Sequence, residues 1–275
     1  MTTSPSQVLS AHIKMVEAGG HKMRIACWRL DRRSAHPPLL FFNGIGANIE
    51  AIAPLAERLD DRPFITFDMP GVGRSPDPVL PYNPITMAWT ASRIFDQLGI
   101  ERADVMGFSW GGALAQQFAL QHASRIRRLV LASTFPGMFM VPGDLSILAR
   151  MVLSQRFSDA AFLNEHMLSL YGQRKSRPRH RSEFVGRLTA PSSRGVLYQM
   201  AAMTGWSSLP FLPLIKTPTL VITGDEDQIV PPANADVLVS SIPSAELMTM
   251  QAAGHLVLLT HIDETLARLR AFLDG

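Results

Sequence analysis

The chain has 275 residues, of which 47% are hydrophobic and 18% are charged, and its formal net charge is +3. This length can bury a sizeable core, and the small basic excess is too weak to indicate nucleic-acid binding. The single cysteine, Cys27, excludes an intramolecular disulfide. We find no signal peptide and no apolar run of about 20 residues. We therefore expect a soluble, cytoplasmic protein without a transmembrane segment.

Short apolar segments alternate with segments of helical periodicity along most of the chain. Strands are predicted at residues 12–18, 23–30, 38–44, 64–68, 103–108, 128–133, 219–224 and 245–250. Helices are predicted at residues 48–59, 85–98, 110–123 and 264–273. The first two strands are expected to form an antiparallel hairpin. The alternation that follows predicts an α/β fold, with a mainly parallel sheet flanked by helices.

The alternation is interrupted once, by a stretch that is too long for a single crossover helix. Residues 135–212 are rich in Met, Phe and Leu, and we predict that they form a helical cap inserted into a core made of residues 1–134 and 213–275. Methionines suit an adaptable apolar surface. The basic run RKSRPRHR at 174–181 indicates either a solvated loop or a docking patch for an anionic surface or a protein partner.

The segment GFSWG at 107–111 matches the pattern G-x-S-x-G and lies between a predicted strand and a predicted helix. In that context the turn places Ser109 in a strained conformation, with its hydroxyl exposed at the carboxyl end of the sheet. Glycine is expected at 107 and 111 because a Cβ there would collide where strand and helix approach each other. The pattern also occurs by chance, and the alternative is a structural turn, but its position predicts a nucleophile.

A serine hydroxyl needs a base to activate it and an acid to orient that base. His255 follows a glycine just past the last predicted strand, and three acids, Asp225, Glu226 and Asp227, follow the strand before it. The order Ser, acid, His is that of an α/β-hydrolase. We select Asp227, since the last carboxylate of such a loop usually faces the histidine, and keep Asp225 as the alternative. His255 could otherwise be an ordinary core or surface histidine.

An oxyanion hole is expected from two main-chain N–H groups, those of Trp110 and of Ile45. Ile45 belongs to the loop NGIGAN, in which we also predict that Asn43 and Gly44 contact the substrate. This loop lacks the third glycine of a dinucleotide fingerprint. The other glycine-rich segment, DMPGVGRS, lacks the lysine of a phosphate loop and is interpreted as a structural turn. No Cys/His cluster indicates a metal, so we expect neither a metal nor a cofactor.

Several segments together resemble one bacterial family, the intracellular poly(3-hydroxyalkanoate) depolymerases of the medium-chain-length type. They are FFNGIGANIE, FDMPGVGRS, VMGFSWGGALAQQFA, LYG, GWSSL, TLVITGDEDQIVP and AGHLVLLT. The resemblance covers nearly the whole chain from about residue 20 and implies an α/β-hydrolase fold. It implies a catalytic set of Ser109, Asp227 and His255. It also implies polyesters or oligoesters of hydrophobic 3-hydroxyacids as substrates, stored as intracellular granules, without a separate polymer-binding domain.

We therefore hypothesise a serine carboxylester hydrolase that acts on a hydrophobic ester or polyester, at a storage-granule surface in the cytoplasm. The alternatives on the same triad are a general esterase, a thioesterase, an acyltransferase, a cofactor-free perhydrolase or a carbon–carbon bond hydrolase. Outside catalysis, the alternatives are a granule-surface binding protein and a catalytically silent member of the fold that binds a small ligand. The sequence leaves the chain-length preference and the oligomeric state open.

Overall fold

A computed structural model describes residues 10–31, 34–145, 187, 189 and 191–275. Within these residues the strands are β1 (His12–Ala18), β2 (His21–Trp28), β3 (Leu39–Phe42), β4 (Phe64–Phe67), β5 (Ala103–Phe108), β6 (Ile126–Ala132), β7 (Thr219–Gly224) and β8 (Ala245–Met250). They form one sheet in the order β1-β2-β4-β3-β5-β6-β7-β8. The β1–β2 and β2–β4 pairs are antiparallel, and all other neighbours are parallel.

The helices of the described chain cover both faces of this sheet. They are α1 (Ile49–Arg58), α2 (Pro84–Gln97), α3 (Trp110–Gln121), α4 (Ser193–Ala202), α5 (Ala233–Ser241), α6 (Val257–Thr260) and α7 (Ile262–Asp274). One apolar core contains side chains of α2, α3 and α5, and a second core, on the other face, contains side chains of α1 and α7. The prediction of an α/β fold with a mostly parallel sheet flanked by helices is confirmed.

Each predicted strand is present, with ends that shift by a few residues. The strand predicted at 38–44 ends at Phe42, because Asn43 already bonds within the loop that follows. The sequence analysis missed α5. Its segment, ANADVLVSS, has no clear apolar period, and it forms because β7 and β8 are parallel neighbours that need a crossover between them.

The junction between β5 and α3 depends on closely packed glycines. A Cβ at Gly111 would overlap the main-chain carbonyl of Phe42 in β3, and a Cβ at Gly107 would overlap that of Gly111. Only glycine therefore lets α3 approach the carboxyl ends of β3 and β5 this closely. This close approach brings the residue between β5 and α3, Ser109, to the edge of the sheet beside the loop that follows β3.

Most of the predicted cap, including the basic run 174–181, lies outside the described residues, so its architecture stays a prediction. Its two described ends pair with each other. Gly137 and Ser207 form an isolated antiparallel bridge, and the Ser208 N–H donates to the Pro136 carbonyl at 3.0 Å. The two ends of the predicted insertion thus lie side by side. Among the described helices, none combines the length and the apolar character that a bilayer crossing requires.

Candidate active site

Ser109 occupies the sharp turn between β5 and α3. Its φ of +54° and ψ of −121° lie in a region that costs a non-glycine residue of the order of 1–3 kcal/mol. The turn is held by three hydrogen bonds. Ser109 N–H donates to the Ala132 carbonyl at 2.9 Å, while the Ser109 carbonyl accepts from Gly112 N–H at 2.9 Å and from Thr134 Oγ1 at 2.6 Å. The strain is thus compensated by contacts to the neighbouring strand and helix.

The loops after β7 and β8 carry the predicted acid and base and are bonded to each other. Glu226 N–H donates to the Ala253 carbonyl at 2.9 Å, and a Cβ at Gly224 would overlap that same carbonyl. Asp225 also takes part, because its Oδ1 accepts from Ala253 N–H at 3.2 Å. These bonds fix the distance between the two loops. They leave Asp227 and His255 facing each other.

Ser109, His255 and Asp227 form one connected chain of hydrogen bonds. His255 Nε2 lies 3.0 Å from Ser109 Oγ, and His255 Nδ1 lies 2.8 Å from Asp227 Oδ2. The other carboxylate oxygen, Oδ1, accepts from the N–H groups of Ile229 and Val230, each at 2.9 Å. The carboxylate oxygens thus accept from three N–H groups, so the side chain of Asp227 is fully bonded although it is only 4% exposed. This arrangement orients the imidazole with Nδ1 as the donor to Asp227 and Nε2 facing the serine hydroxyl.

The loop after β3 lies directly against the serine. A Cβ built on Gly44 would be 3.7 Å from the Cβ of Ser109. Among the described residues, the main-chain N–H of Ile45, in this loop, and that of Trp110, at the start of α3, have no hydrogen-bond partner. Two unpaired donors beside the serine fit an oxyanion hole, in which α3 also contributes the positive end of its dipole.

The side chain of Asn43 braces the loop that follows β3. Its Oδ1 accepts from Gly44 N–H at 3.0 Å and its Nδ2 donates to the Asn48 carbonyl at 3.0 Å, so the amide braces its own loop. At 7% exposure it has little surface left for a ligand. A direct contact between Asn43 or Gly44 and a substrate therefore remains a prediction that no bond in the structure supports.

Asp68, in the second glycine-rich segment, anchors the far end of the same loop. Its Oδ1 accepts from Ile49 N–H at 2.7 Å, at the start of α1, and its Oδ2 accepts from Arg74 N–H at 3.0 Å and from the Arg24 guanidinium at 3.2 Å. Burial raises the pKa of Asp68 to about 6, against the opposing effect of these donors. Gly71 and Gly73 have φ values of +80° and +56°, as the interpretation of this segment as a structural turn requires.

Two polar contacts in this region involve a residue that the sequence analysis missed, Gln199 on α4. Its Oε1 accepts from Gly46 N–H at 2.9 Å, and its main-chain carbonyl accepts from Trp110 Nε1–H at 2.8 Å. Gln199 is fully buried. The only signal in the sequence is an amide in an otherwise small and apolar stretch, YQMAAM, and such a signal does not reveal a partner 153 residues away.

A potential cation site lies elsewhere. Within the described parts of the chain, His36, Asp61 and Asp274 are the group of three whose ligand atoms lie within 4.8 Å of one another. Arg62 already donates to Asp61 at 2.9 Å and to Asp274 at 2.6 Å, so the acidic charge is compensated. His36 precedes β3, whereas Ser109 lies past the opposite ends of the strands. This group is therefore separate from the candidate active site.

Comparison with known proteins gives a consistent result. A family model described as the alpha/beta hydrolase fold matches residues 37–262. The chain is 38% identical over 239 residues to a poly(3-hydroxyalkanoate) depolymerase of Ectopseudomonas oleovorans, covering 86% of this chain and 84% of that protein. It is 30% identical over 238 residues to a 2-hydroxymuconate semialdehyde hydrolase of Pseudomonas sp. (strain CF600), covering 82% of each.

Solved structures agree on the fold. An esterase from Exiguobacterium antarcticum superposes with a TM-score of 0.82 at 21% identity and covers 95% of this chain and 99% of its own. An enol-lactonase from Burkholderia xenovorans LB400 superposes with a TM-score of 0.79 at 22% identity, covering 95% of this chain and all of its own. At these identities the likeness concerns the arrangement of strands and helices.

Proposed function

We propose that this chain, which belongs to the α/β-hydrolase superfamily and, within it, to the poly(3-hydroxyalkanoate) depolymerase family, is a serine carboxylester hydrolase. Its proposed substrates are esters of hydrophobic 3-hydroxyacids. Hydrolysis of esters follows from the family. The serine mechanism rests on one observation, the hydrogen-bonded chain from Ser109 through His255 to Asp227 on a strained turn. That geometry supports acyl transfer to a serine.

In the first half-reaction, Ser109 Oγ attacks the ester carbonyl carbon while its proton passes to His255 Nε2. The imidazolium is stabilised by Asp227, whose Oδ2 lies 2.8 Å from Nδ1. The carbonyl oxygen becomes an oxyanion, which the N–H groups of Ile45 and Trp110 bind. The C–O bond then breaks, and the leaving alkoxide, the 3-hydroxyl of the released unit, takes the proton from His255. The products of this step are an alcohol and an acyl-enzyme.

In the second half-reaction, water replaces the departed alcohol. His255 accepts a proton from the water as its oxygen attacks the acyl carbon, and the same two N–H groups stabilise the second oxyanion. The bond to Ser109 Oγ breaks, and Oγ recovers the proton from His255. One ester and one water thus yield one alcohol and one acid, and the three side chains return to their starting protonation states.

The surface of the described insertion ends supports an apolar substrate. Large apolar side chains are exposed there, namely Met138, Phe139, Leu145, Leu197 and Met200. Exposed apolar side chains suit contact with esters that carry aliphatic side chains. The relative at 38% identity is a poly(3-hydroxyalkanoate) depolymerase, which favours hydroxyalkanoate polyesters or oligoesters among them. Association with a storage-granule surface is part of this proposal, and the cap over residues 135–212 would shape the acyl pocket.

A second candidate reaction is the hydrolysis of a carbon–carbon bond. The observation that favours it is the 30% identity to a 2-hydroxymuconate semialdehyde hydrolase over 82% of both chains. The same serine, histidine and aspartate could serve either reaction. Turnover of a vinylogous 1,5-diketone, followed by loss of its absorbance, separates the two reactions. The ester proposal predicts at least about a hundredfold lower kcat/KM for this substrate than for an octanoate ester.

The direct test of the proposed substrate is acid release from an amorphous medium-chain poly(3-hydroxyalkanoate) suspension, compared with a short-chain polymer and p-nitrophenyl octanoate. Wild type and Ser109→Ala are assayed side by side. Serine-dependent release from the medium-chain polymer is the expected result. Turnover of the octanoate ester alone would reject the polymer as substrate while keeping the serine mechanism. Equal activity of the two proteins would reject the mechanism.

A further inference from the structure

We propose that Gln199 is a positioning residue for the oxyanion hole, through which the returning end of the cap insertion controls the rate of the chemical step. The inference rests on the proposed serine mechanism and concerns a residue outside the triad. Gln199 lies on α4, in the returning end of the predicted insertion, whereas the loop after β3 and the start of α3 belong to the predicted core. These last two segments carry the two N–H groups assigned to the oxyanion.

Gln199 makes one bond to each of those segments. Its Oε1 accepts from Gly46 N–H, one residue after Ile45, at 2.9 Å. Its main-chain carbonyl accepts from the indole Nε1–H of Trp110 at 2.8 Å. Ile45 and Trp110 supply the two proposed oxyanion donors through their main chains. A single residue thus joins both halves of the hole.

The bond to Gly46 also determines the shape of the loop. Gly46 is buried and has a φ of +67°, a left-handed conformation that glycine adopts readily. A buried N–H without a partner is costly, and the Gln199 side chain supplies that partner. Without it the loop would have to rotate to reach another acceptor, which would displace the N–H of Ile45.

Burying the amide of Gln199 has an energetic cost, and the contact of this amide with the loop explains why the cost is accepted. Only the amide oxygen can accept from Gly46 N–H, so the orientation of the amide is fixed, and Nε2 is left buried with no partner among the described residues. A methionine of similar volume would avoid this unsatisfied donor. Packing alone would not favour an amide at this position. Accepting a hydrogen bond from the oxyanion loop requires a side-chain oxygen, which the amide supplies.

The protein offers a matched control in Gln116 on α3. It is also fully buried, and it bonds the core to both ends of the insertion, since its Oε1 accepts from Ser208 Oγ at 2.6 Å and its Nε2 donates to the Phe135 carbonyl at 3.1 Å. The same Nε2 donates to the Gly112 carbonyl within α3 at 3.1 Å. It makes no bond to the loop after β3. Gln199→Met and Gln116→Met therefore remove the same chemical group from equally buried positions. Only Gln199→Met affects the oxyanion loop.

The experiment measures kcat and KM for p-nitrophenyl octanoate, together with inhibition by an alkyl trifluoromethyl ketone, whose serine adduct carries an oxyanion. For Gln199→Met we expect kcat to fall roughly 10- to 100-fold, with KM changed less than about threefold. Inhibitor affinity should fall by the same factor as kcat/KM. For Gln116→Met both quantities should stay within about threefold of wild type, whatever its thermal stability.

Equal losses of kcat in the two variants would overturn the inference, because loss of a buried amide would then explain both. A wild-type kcat for Gln199→Met would overturn it as well. If Gln199→Met does not fold, Trp110→Phe removes the other bond, and a wild-type kcat for that variant counts against the inference. Ser109→Ala is assayed in parallel. If it keeps wild-type activity, the proposed serine mechanism fails. If it is inactive, the mechanism holds, and the Gln199 variants then test the positioning role by themselves.

Discussion

Replacing Asp227 by asparagine reverses the hydrogen bond that orients His255. Oδ1 of Asp227 accepts from two main-chain N–H groups, those of Ile229 and Val230, so the amide oxygen of the introduced asparagine must take that place. The amide nitrogen then occupies the site of Oδ2, 2.8 Å from His255 Nδ1. Two donors cannot face each other there, and the imidazole proton moves to Nε2.

That tautomer directs an N–H at Ser109 Oγ, 3.0 Å away, and leaves no lone pair to accept the serine proton. We expect kcat to fall by about 10⁴-fold, which corresponds to about 5.5 kcal/mol of transition-state stabilisation. KM for p-nitrophenyl octanoate should change little, because the substitution preserves the shape of the site. Initial rates over a range of substrate concentrations give both quantities, with circular dichroism as the check on folding.

Asp225→Asn is the matched control for Asp227→Asn. Asp225 is exposed, and its Oδ1 accepts a single bond, from Ala253 N–H at 3.2 Å, which an asparagine oxygen can also accept. Its kcat should stay within a few-fold of wild type. The reasoning would be refuted if Asp227→Asn kept more than about a tenth of wild-type kcat. A comparable loss in Asp225→Asn would refute the choice between the two acids.

Three further predictions concern stability and reactivity. Gly111→Ala places a Cβ on the Phe42 carbonyl and should lower the free energy of unfolding by at least about 1–3 kcal/mol; an unchanged urea midpoint would contradict the packing described. Burial raises the pKa of Cys27 to about 11, so its thiolate fraction at pH 8 is about one in a thousand, and a disulfide reagent should modify it only as fast as the protein unfolds; reaction at the rate of free cysteine would show otherwise. Burial also raises the pKa of Asp68 from 3.8 to about 6, so the folded state binds this proton more tightly than the unfolded state does, and Asp68 should lower the unfolding free energy by up to about 3 kcal/mol as pH rises from about 4 to 7. Asp68→Asn should flatten the plot of unfolding free energy against pH between about pH 4 and 7. An unchanged slope over that range would rule out the contribution assigned to Asp68.

The parts of the fold that follow from local pattern could be predicted from the sequence. The strands are short apolar runs. The glycines and the serine of GFSWG, at the end of β5, predict a sharp turn with a strained serine, and the positive φ of Ser109 confirms it. The segments bearing Asp227 and His255 could be located because each follows a predicted strand, and parallel strands bring such ends to one edge of the sheet.

What could not be predicted depends on contacts between distant residues or on weak local patterns. Nothing in the segment around Asp68 indicates that its carboxylate binds the first N–H of α1, 19 residues earlier. The bonds of the Asn43 amide to Gly44 and Asn48 could not be predicted from the sequence of its loop. The contact of Gln199 with Gly46 joins segments 153 residues apart, and such a pair leaves no trace in local periodicity.

The central claim is that Ser109 is the nucleophile, and the most direct measurement is the mass spectrum of the protein after reaction with an alkyl fluorophosphonate. We expect a single adduct, mapped to Ser109 by peptide sequencing, with loss of ester hydrolysis in proportion to labelling. Ser109→Ala should acquire no adduct. An adduct on another residue, or full ester turnover by protein that carries the phosphonate on Ser109, would contradict the account.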